Sequence, residues 1–439
     1  MSVTLLDDRP ALRRQLGLAG AITLGLGAIL GTGVFVTLAS ASASYGFNAV
    51  IGIGIAAILA TVNGLTSAQL AAAIPISGGT YEYACRLVNP TLGFLAGWLF
   101  LCAKSASAAA AALGSAQYFQ LLIPSASVIP AEWTAIAFLI MIGWIAMSGI
   151  RYANWLNALL VGLAISALGC FVGETILRNQ STLENQNIVW RFSWQECLHA
   201  SALMFVAFTG YGRIATLGEE VREPRKTIPK AVIITLLLTV AIYWIVSIAV
   251  LRSLQSLPSQ ALRQKTDFGL VLLTENMPSA YARTWITLGA LAAMLAVKNN
   301  LLLGLSRVIL AMGRRGDLPG GLAKLDAASA SPKRALVWVL TAVGFIILAS
   351  DFKLAWQFSA WTILLYYGVT HLCALRISSL DRMFSNVVHW FGFLLNLLLT
   401  FFIEPRVWEL GIAILFLGWL TRFFYRKCRY LAEIPTNRP

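Results

Sequence analysis

The chain has 439 residues, of which 58% are hydrophobic and only 12% are charged. Soluble domains carry about 25% charged residues, so this composition excludes an ordinary soluble domain and predicts a polytopic protein of the lipid bilayer, with about twelve spans of roughly 20 residues. The formal net charge of +14 does not indicate nucleic-acid binding, because no basic stripe is interleaved with aromatic residues. The cations are interpreted as topology signals in loops on the inner side.

Sulfur and imidazole groups show no pattern that predicts a cofactor. The six Cys residues are scattered without a CxxC pair, and no two of the three His residues have the i, i+4 spacing that places metal ligands on one helical face. We therefore expect no disulfide framework, no metal and no cofactor. The polar first residues, 1–14, lack a signal peptide's short apolar core and cleavage site, so they are predicted to be a cytoplasmic tail.

Apolar runs then follow one another in chain order. They predict twelve membrane helices, over 15–38, 46–70, 93–122, 131–148, 152–177, 199–218, 230–251, 281–312, 335–349, 354–375, 385–403 and 407–424. Between the second and third helices, Ser77-Gly78-Gly79 is predicted to start a short amphipathic helix.

Lys and Arg residues cluster in the segments that this span order places on one side. With the N-terminus inside, the inner clusters include Arg13-Arg14, Arg222 to Lys230 and Arg314-Arg315. Positive charge favours cytoplasmic loops, so we predict a multi-pass protein of the cell membrane with both termini in the cytoplasm, the second as a tail over 425–439.

The first span contains a glycine-rich interruption. Gly27, Gly31 and Gly33 fall within seven residues, and each costs a helix roughly 1 kcal/mol relative to alanine. Gly31-Thr32-Gly33 is therefore predicted to break the helix at mid-membrane. Exposed backbone at that depth is tolerated only where it lines a cavity or is buried in protein, and the N–H groups of a half-helix form a site for an anionic group.

The sixth span has a matching interruption at Gly210 and Gly212. When Gly31 is laid over Thr209, the second span falls on the seventh as well, which indicates an internal repeat. An odd number of spans separates the two breaks, so the halves have opposite topology. Paired broken helices in inverted halves indicate the binding site of a secondary transporter, although glycines that merely allow close helix packing are the alternative.

Four segments in register resemble the amino acid–polyamine–organocation (APC) superfamily, whose fold is that of the leucine transporter. They are Gly27 to Phe35, Pro75 to Tyr83, Phe208 to Pro229 and Leu305 to Pro319, and the resemblance covers about residues 12–375. It implies an all-α membrane fold with a five-plus-five inverted repeat and broken helices 1 and 6. The repeats would span 15–177 and 199–375, and two further helices would occupy 385–424.

The resemblance also implies an amino acid transporter that works by alternating access. We expect the substrate carboxylate at the N–H groups of the first break and the ammonium at carbonyl groups freed at both breaks, with aromatic residues as a side-chain pocket and outer gate. The candidate substrate-binding residues are Ala28, Ile29, Gly31, Thr32, Gly33, Phe205, Ala207, Phe208, Thr209, Gly210 and Tyr211.

Two lysines lie within predicted spans, Lys298 in the eighth and Lys104 in the third. A lysine at this depth is costly unless it is paired or deprotonated. Members of the superfamily without a sodium site often have a lysine on the fifth helix, but here Ala164 falls at that position. We predict that Lys298 reaches the same space, replaces the sodium ion and couples transport to a proton. A constitutive charge or a snorkelling side chain is the alternative, and Lys104 is the competing candidate.

Arg213, Glu219 and Glu220 lie at the inner end of the sixth span and are predicted to form part of a cytoplasmic gate. The alternative is a solvated start of the loop that follows.

Several functional alternatives stay open at this level. Proton symport competes with amino acid exchange, and a sensor of the same fold would bind an amino acid without transporting it. An intramembrane enzyme is disfavoured, because the apolar runs contain neither a His-x-x-x-His pattern nor a pair of aspartates. No intramembrane carboxylate is placed to pair with a cationic side chain, which favours neutral amino acids. The sequence does not indicate an oligomeric state.

Overall fold

A computed structural model describes residues 16–148, 150–178, 191–216, 219–255, 269–270, 273, 279–326 and 331–433. The predicted N-terminal tail, 1–14, lies outside these residues. The described part is helical, and its only bridge between extended residues is a single one that joins Leu16 to Val221.

The helices of the first half are α1 (Leu18–Ile29), α2 (Leu38–Tyr45), α3 (Phe47–Ala73), α4 (Thr80–Leu87), α5 (Pro90–Leu122), α6 (Ala131–Met147) and α7 (Ile150–Arg178). Those of the second half are α8 (Trp194–Phe208), α9 (Gly212–Ala215), α10 (Pro224–Gln255), α11 (Ala280–Arg314), α12 (Lys333–Ala349), α13 (Phe352–Leu375), α14 (Asn386–Thr400) and α15 (Pro405–Glu433). A π-helical turn occupies Gly33–Thr37, and 3₁₀ turns occupy Pro124–Val128, Thr209–Tyr211 and Gly320–Ala323.

Membrane-spanning character is clear for most of the long helices. Seven described helices are long and apolar enough to cross a bilayer, and the bent pair Leu18–Ile29 with Gly33–Tyr45 would make an eighth span. Each predicted span coincides with a described helix, but several of these helices are too short or too polar to qualify by length and hydropathy. These criteria therefore give fewer spans than the twelve predicted from the sequence.

Local sequence explains where the structure departs from the predicted bounds. The third predicted span starts at Pro90, because Pro favours the first helical position and the Asn89 side chain caps the helix by accepting a hydrogen bond from Leu92 N at 2.7 Å. The last helix continues to Glu433, so part of the predicted tail over 425–439 is helical. The short helix predicted after Ser77 is confirmed as α4, preceded by Gly78 and Gly79 at positive φ.

Three helices form the centre of the bundle. About 83% of the apolar window of α11 and of α13 is buried, and 78% of that of α5, compared with 22% for α15. Both interrupted segments contact this centre, since Tyr118 of α5 donates to Phe35 O at 2.8 Å and Lys104 of α5 donates to the Thr209 hydroxyl at 2.8 Å. The two predicted breaks therefore lie in the interior of the protein.

Candidate functional site

The first predicted break is a bend of 40° between α1 and the helical segment that begins at Gly33. The last regular bond of α1 runs from Leu30 N to Leu26 O at 2.7 Å, and the next described bond runs from Phe35 N to Gly31 O at 3.1 Å. Among the described backbone hydrogen bonds, none uses the amides of Gly31, Thr32 or Gly33 as donors. These buried N–H groups are the orphan donors that a helix start leaves for an anion.

The second predicted break is tighter than the first. Helix α8 ends at Phe208, and the 3₁₀ turn Thr209–Tyr211 leads directly into α9. The Thr209 hydroxyl donates back to Val206 O at 2.8 Å. The sequence predicted an interruption here, and in the structure it is this 3₁₀ turn. A stretch of 3₁₀ within a helix often marks a functional hinge.

The two breaks face each other at van der Waals distance. A Cβ atom on Gly210 would lie 2.5 Å from Cγ1 of Ile29 and would also overlap the carbonyl group of Ala28. A Cβ atom on Gly33 would lie 2.8 Å from Cα of Ala207. The glycines are thus required for close approach, and five of the predicted substrate-binding residues meet at one point.

Tyr243 of α10 ties the two breaks together. Its hydroxyl lies 3.1 Å from the carbonyl oxygen of Ile29 and 2.9 Å from that of Ala207, so it donates to one of them at a time. These are carbonyls that the sequence assigned to the substrate ammonium, and each keeps a lone pair for a second donor. Sequence reasoning missed Tyr243, because nothing distinguishes one tyrosine in an apolar span from a packing residue.

The predicted aromatic residues form one buried layer. The ring of Phe208 lies 4.8 Å from that of Tyr243, and the rings of Phe205 and Tyr211 lie 5.7 and 5.6 Å from that of Tyr367 on α13. The sequence did not single out Tyr367, whose position between two of the predicted rings depends on how α13 packs.

Lys104 of α5 reaches the second break. Its ammonium nitrogen lies 2.8 Å from the Thr209 hydroxyl and 3.4 Å from the Thr209 carbonyl oxygen, and the side chain is buried. A cation is favourable at this point, since the end of α8 carries the negative end of the helix dipole.

Lys298 of α11 points elsewhere. Its ammonium nitrogen lies 2.8 Å from the Ser115 hydroxyl on α5 and 5.1 Å from the ring centre of Phe138 on α6, and the side chain is fully buried. The neighbouring Val297 faces the first break, where its Cβ would lie 3.1 Å from a Cβ on Gly31. The ammonium therefore contacts α5 and α6, whereas the sequence prediction placed it beside α1, because successive residues on a helix point about 100° apart.

Uncharged amides connect α1 to the helices beside it. Asn157 of α7 donates to Thr23 O at 2.9 Å and accepts from the Asn300 amide of α11 at 2.5 Å. A side chain on Gly27 would overlap Asn157. Sequence reasoning missed this pair, although an Asn within an apolar span is a usable signal for a helix contact.

A cavity of about 500 Å³ lies on the other side of the breaks, between α2, α8 and the start of α13. Lys353 and Glu404 form an ion pair of 2.9 Å in its wall, and Gln357 donates to the same carboxylate at 2.9 Å. These two contacts lower the pKa of Glu404.

The predicted gate residues lie in a network of charges at the opposite end. Glu220 pairs with Arg307 of α11 at 2.7 Å, and both side chains are only 3% exposed. Arg213 is buried near this pair and donates to the Thr216 hydroxyl at 3.0 Å. The sequence had placed Glu220 and Arg213 together, but it did not identify Arg307 as the partner.

Two partly buried ion pairs extend this network. Glu219 accepts from the backbone N–H of Ser77 at 3.0 Å and from Arg314 at 3.3 Å. Glu82 of α4 pairs with Arg315 at 2.6 Å and thereby raises the pKa of that guanidinium. The network ties the loop after α9 and the α3–α4 region to the end of α11.

These features define a helical membrane protein with a buried polar site between two interrupted helices. The amino acid permease family model matches residues 20–403, and the chain belongs to this family, as the APC resemblance indicated. An uncharacterized transporter of Mycobacterium tuberculosis is 34% identical over 98% of this chain and 97% of its own. The branched-chain amino acid permease BcaP of Bacillus subtilis is 26% identical over 73% of this chain and 72% of its own. The Asc-type amino acid transporter 1 of Mus musculus is 27% identical over 94% of this chain and 81% of its own. The chain is a multi-pass membrane protein of a transport family.

Proposed function

We propose that the protein is a secondary transporter that moves amino acids across the cell membrane by alternating access. The twelve predicted spans then form two inverted repeats, over 15–177 and 199–375, followed by two helices over 385–424. Both termini are cytoplasmic in this arrangement. The family match and the coincidence of each predicted span with a described helix support it.

The close approach of the two breaks carries this proposal. The substrate carboxylate binds the backbone amides of Gly31, Thr32 and Gly33, which have no backbone acceptor among the described residues. The ammonium binds the carbonyl groups of Ile29 and Ala207, which share the Tyr243 hydroxyl as an alternating donor. Backbone groups of both signs recognise the part that all amino acids share, and this matches the use of broken helices in transporters.

The side chain of the substrate is proposed to contact the aromatic layer. Phe205, Phe208 and Tyr211 provide apolar surface there, which favours a neutral side chain. The name of one relative, the branched-chain amino acid permease BcaP, agrees with such a substrate.

Access is proposed to alternate between two sides. The cavity of about 500 Å³ provides the outer entrance. The gate at the inner side is formed by Arg213, Glu219 and Glu220 together with their partners Arg307 and Arg314. These contacts join the segment that follows the second break to α11. Opening of the inner side requires these buried contacts to separate.

Proton symport is proposed as the coupling mode, with Lys298 as the residue that exchanges the proton. Among the described residues its ammonium has one neutral hydrogen-bond acceptor and an aromatic face, and a lysine in a bundle interior is costly unless it is paired or deprotonated. The adjacent Val297 touches Gly31, which connects this lysine to the substrate site. Lys104, bound at Thr209, is the second candidate.

Uptake into proteoliposomes tests these proposals. A panel of all amino acids identifies the substrate, and a pH gradient with the acidic side outside is expected to accelerate wild-type uptake in the absence of sodium. Lys298→Met is expected to abolish this acceleration while counterflow into loaded vesicles persists. Lys226→Met, at an exposed lysine, serves as the control.

Each part of the proposal has its own contradicting result. Unchanged pH dependence in Lys298→Met refutes the role of Lys298, and loss in Lys104→Met alone selects the other lysine. Uptake that needs a loaded interior selects exchange. Saturable binding without flux identifies a sensor.

A further inference from the structure

A line of buried polar side chains joins α14 to α3 and α13. Its members are fully or almost fully buried, and they are Asn63, Thr66, Gln69, His371, His389 and Asn396, named here the polar line. Buried polar groups are stable only when each finds a partner. The donors and acceptors at the two ends of the polar line therefore determine the direction of each hydrogen bond between them.

One end of the polar line lies at the α13–α14 loop. The Gln69 carbonyl oxygen accepts from the backbone N–H groups of Met383 at 2.7 Å and Phe384 at 2.9 Å. This fixes the carboxamide orientation, so the Gln69 NH₂ group faces Nε2 of His389 at 3.4 Å. Because an NH₂ group is only a donor, Nε2 of His389 carries no hydrogen.

The other end is fixed by Asn396. Its NH₂ group donates to Gly392 O at 2.7 Å and to the Asn63 carbonyl oxygen at 2.9 Å. That oxygen is an acceptor and lies 2.7 Å from Nε2 of His371, so Nε2 of His371 carries the hydrogen. A side chain on Gly392 would overlap the His371 ring, which explains the glycine.

Thr66 joins the two histidines. Its hydroxyl lies 3.1 Å from Nδ1 of His389 and 3.3 Å from Nδ1 of His371. The hydroxyl has one hydrogen, which goes to the bare Nδ1 of His371, and it accepts from Nδ1–H of His389. From Gln69 to the Asn63 oxygen the hydrogen bonds then run in one direction, and both imidazoles are neutral.

We propose that the bare Nε2 of His389 is a proton-binding site, and that a proton bound there releases the α13–α14 loop from α3. The proton adds to the nitrogen lone pair and forms an N–H bond that faces the NH₂ group of Gln69. Two donors cannot share this contact, so Gln69 turns its carbonyl oxygen toward His389. The N–H groups of Met383 and Phe384 thereby lose their acceptor.

The surroundings of His389 are consistent with a switch of this kind. Its hydrogen-bond partners on α3 are the uncharged Thr66 and Gln69, and the His371 ring of α13 lies 6.1 Å away. Arg382 of the loop is the charged group that acts on it, and its positive charge opposes a proton on His389 while the loop is docked. The loop itself is exposed, with Leu380 at 96%, so its release costs little packing. The proposal does not depend on the transport activity.

Hydrogen–deuterium exchange of the full chain in lipid nanodiscs tests the release. After correction for the intrinsic pH dependence of exchange, protection of Met383 and Phe384 is expected to fall about tenfold between neutral and mildly acidic pH, the factor for about one lost net hydrogen bond. His389→Gln cannot take up a proton and is expected to remove this pH response. His199→Gln, at the histidine outside the polar line, is the matched control and should keep it.

A second measurement does not depend on how well a variant folds. In ¹⁵N-histidine NMR spectra of the wild-type chain at neutral pH, Nε2 of His389 and Nδ1 of His371 are expected to be bare, and Nε2 of His389 is expected to gain its hydrogen over the pH range in which the loop loses protection. The opposite tautomers, a pH-independent loop, or a response that survives in His389→Gln would overturn the proposal.

Discussion

Replacement of Glu220 by Gln tests the proposed inner gate at its most buried contact. The carboxylate lies 2.7 Å from the Arg307 guanidinium, and both side chains are 3% exposed. Arg213 is buried nearby and feels the same carboxylate. Glu220→Gln keeps the size of the side chain but leaves two buried guanidinium groups without their anion.

The expected cost follows from burial. Removing one partner of a buried ion pair costs about 3–5 kcal/mol, because the remaining charge stays desolvated, whereas exposed pairs contribute about 0–1 kcal/mol. We therefore expect Glu220→Gln to lower the free energy of unfolding by about 3–5 kcal/mol. The control is Glu223→Gln, whose pair with Lys226 is 73% and 78% exposed, and its cost should stay below about 1 kcal/mol.

Denaturant unfolding of the purified protein in detergent measures both variants against the wild type. The double variant Glu220→Gln with Arg307→Gln completes a mutant cycle and is expected to be less destabilised than the sum of the single variants, because it leaves fewer unpaired charges. If the pair also closes the inner side, Glu220→Gln will increase labelling from the cytoplasmic side by a water-soluble probe.

Two results would contradict a holding role for this ion pair. If Glu220→Gln costs no more than Glu223→Gln, the ion pair does not hold the inner ends of the breaks together. Full additivity in the cycle would show that Glu220 and Arg307 act independently despite their contact.

Three further substitutions address the breaks. Gly31→Val is expected to abolish uptake while the protein still inserts, since the new side chain overlaps Val297; normal substrate affinity in binding assays would argue against this. Tyr243→Phe removes the hydroxyl that joins the two breaks and should lower the free energy of unfolding by about 1–3 kcal/mol. Denaturant unfolding measures this change, and an unchanged free energy would contradict the bridging role. Asn157→Leu removes the side-chain donor that joins α7 to the Thr23 carbonyl of α1, so the free energy of unfolding should fall by about 1 kcal/mol. An unchanged free energy of unfolding would show that this contact is dispensable.

The sequence alone determines the class of protein and the places where its helices fail. Low charge and long apolar runs predict membrane helices, because hydropathy is a local property that needs no knowledge of neighbours. The glycines at Gly31 and Gly33 predict the first break for the same reason, since they act on the backbone of their own segment. Four motifs in register then indicated the family that the comparison confirms.

Partners across the bundle could not be predicted in this way. The ammonium of Lys298 points to Ser115, although its position along the chain fitted a place beside the first break. Tyr243 gains its role only because two carbonyls converge on its hydroxyl. These outcomes depend on the rotation of each helix about its axis, which hydropathy fixes only coarsely because the central helices are buried over most of their surface.

The polar line shows the same division. His371 and His389 looked unrelated in the sequence, because no helical spacing links them. The tertiary structure places α13, α14 and α3 side by side, so that one hydroxyl, Thr66, meets both rings. Sequence therefore decided which segments form apolar helices and where the first of them breaks. Only tertiary packing decided which polar groups meet, because a buried polar side chain takes whatever partner the neighbouring helices present.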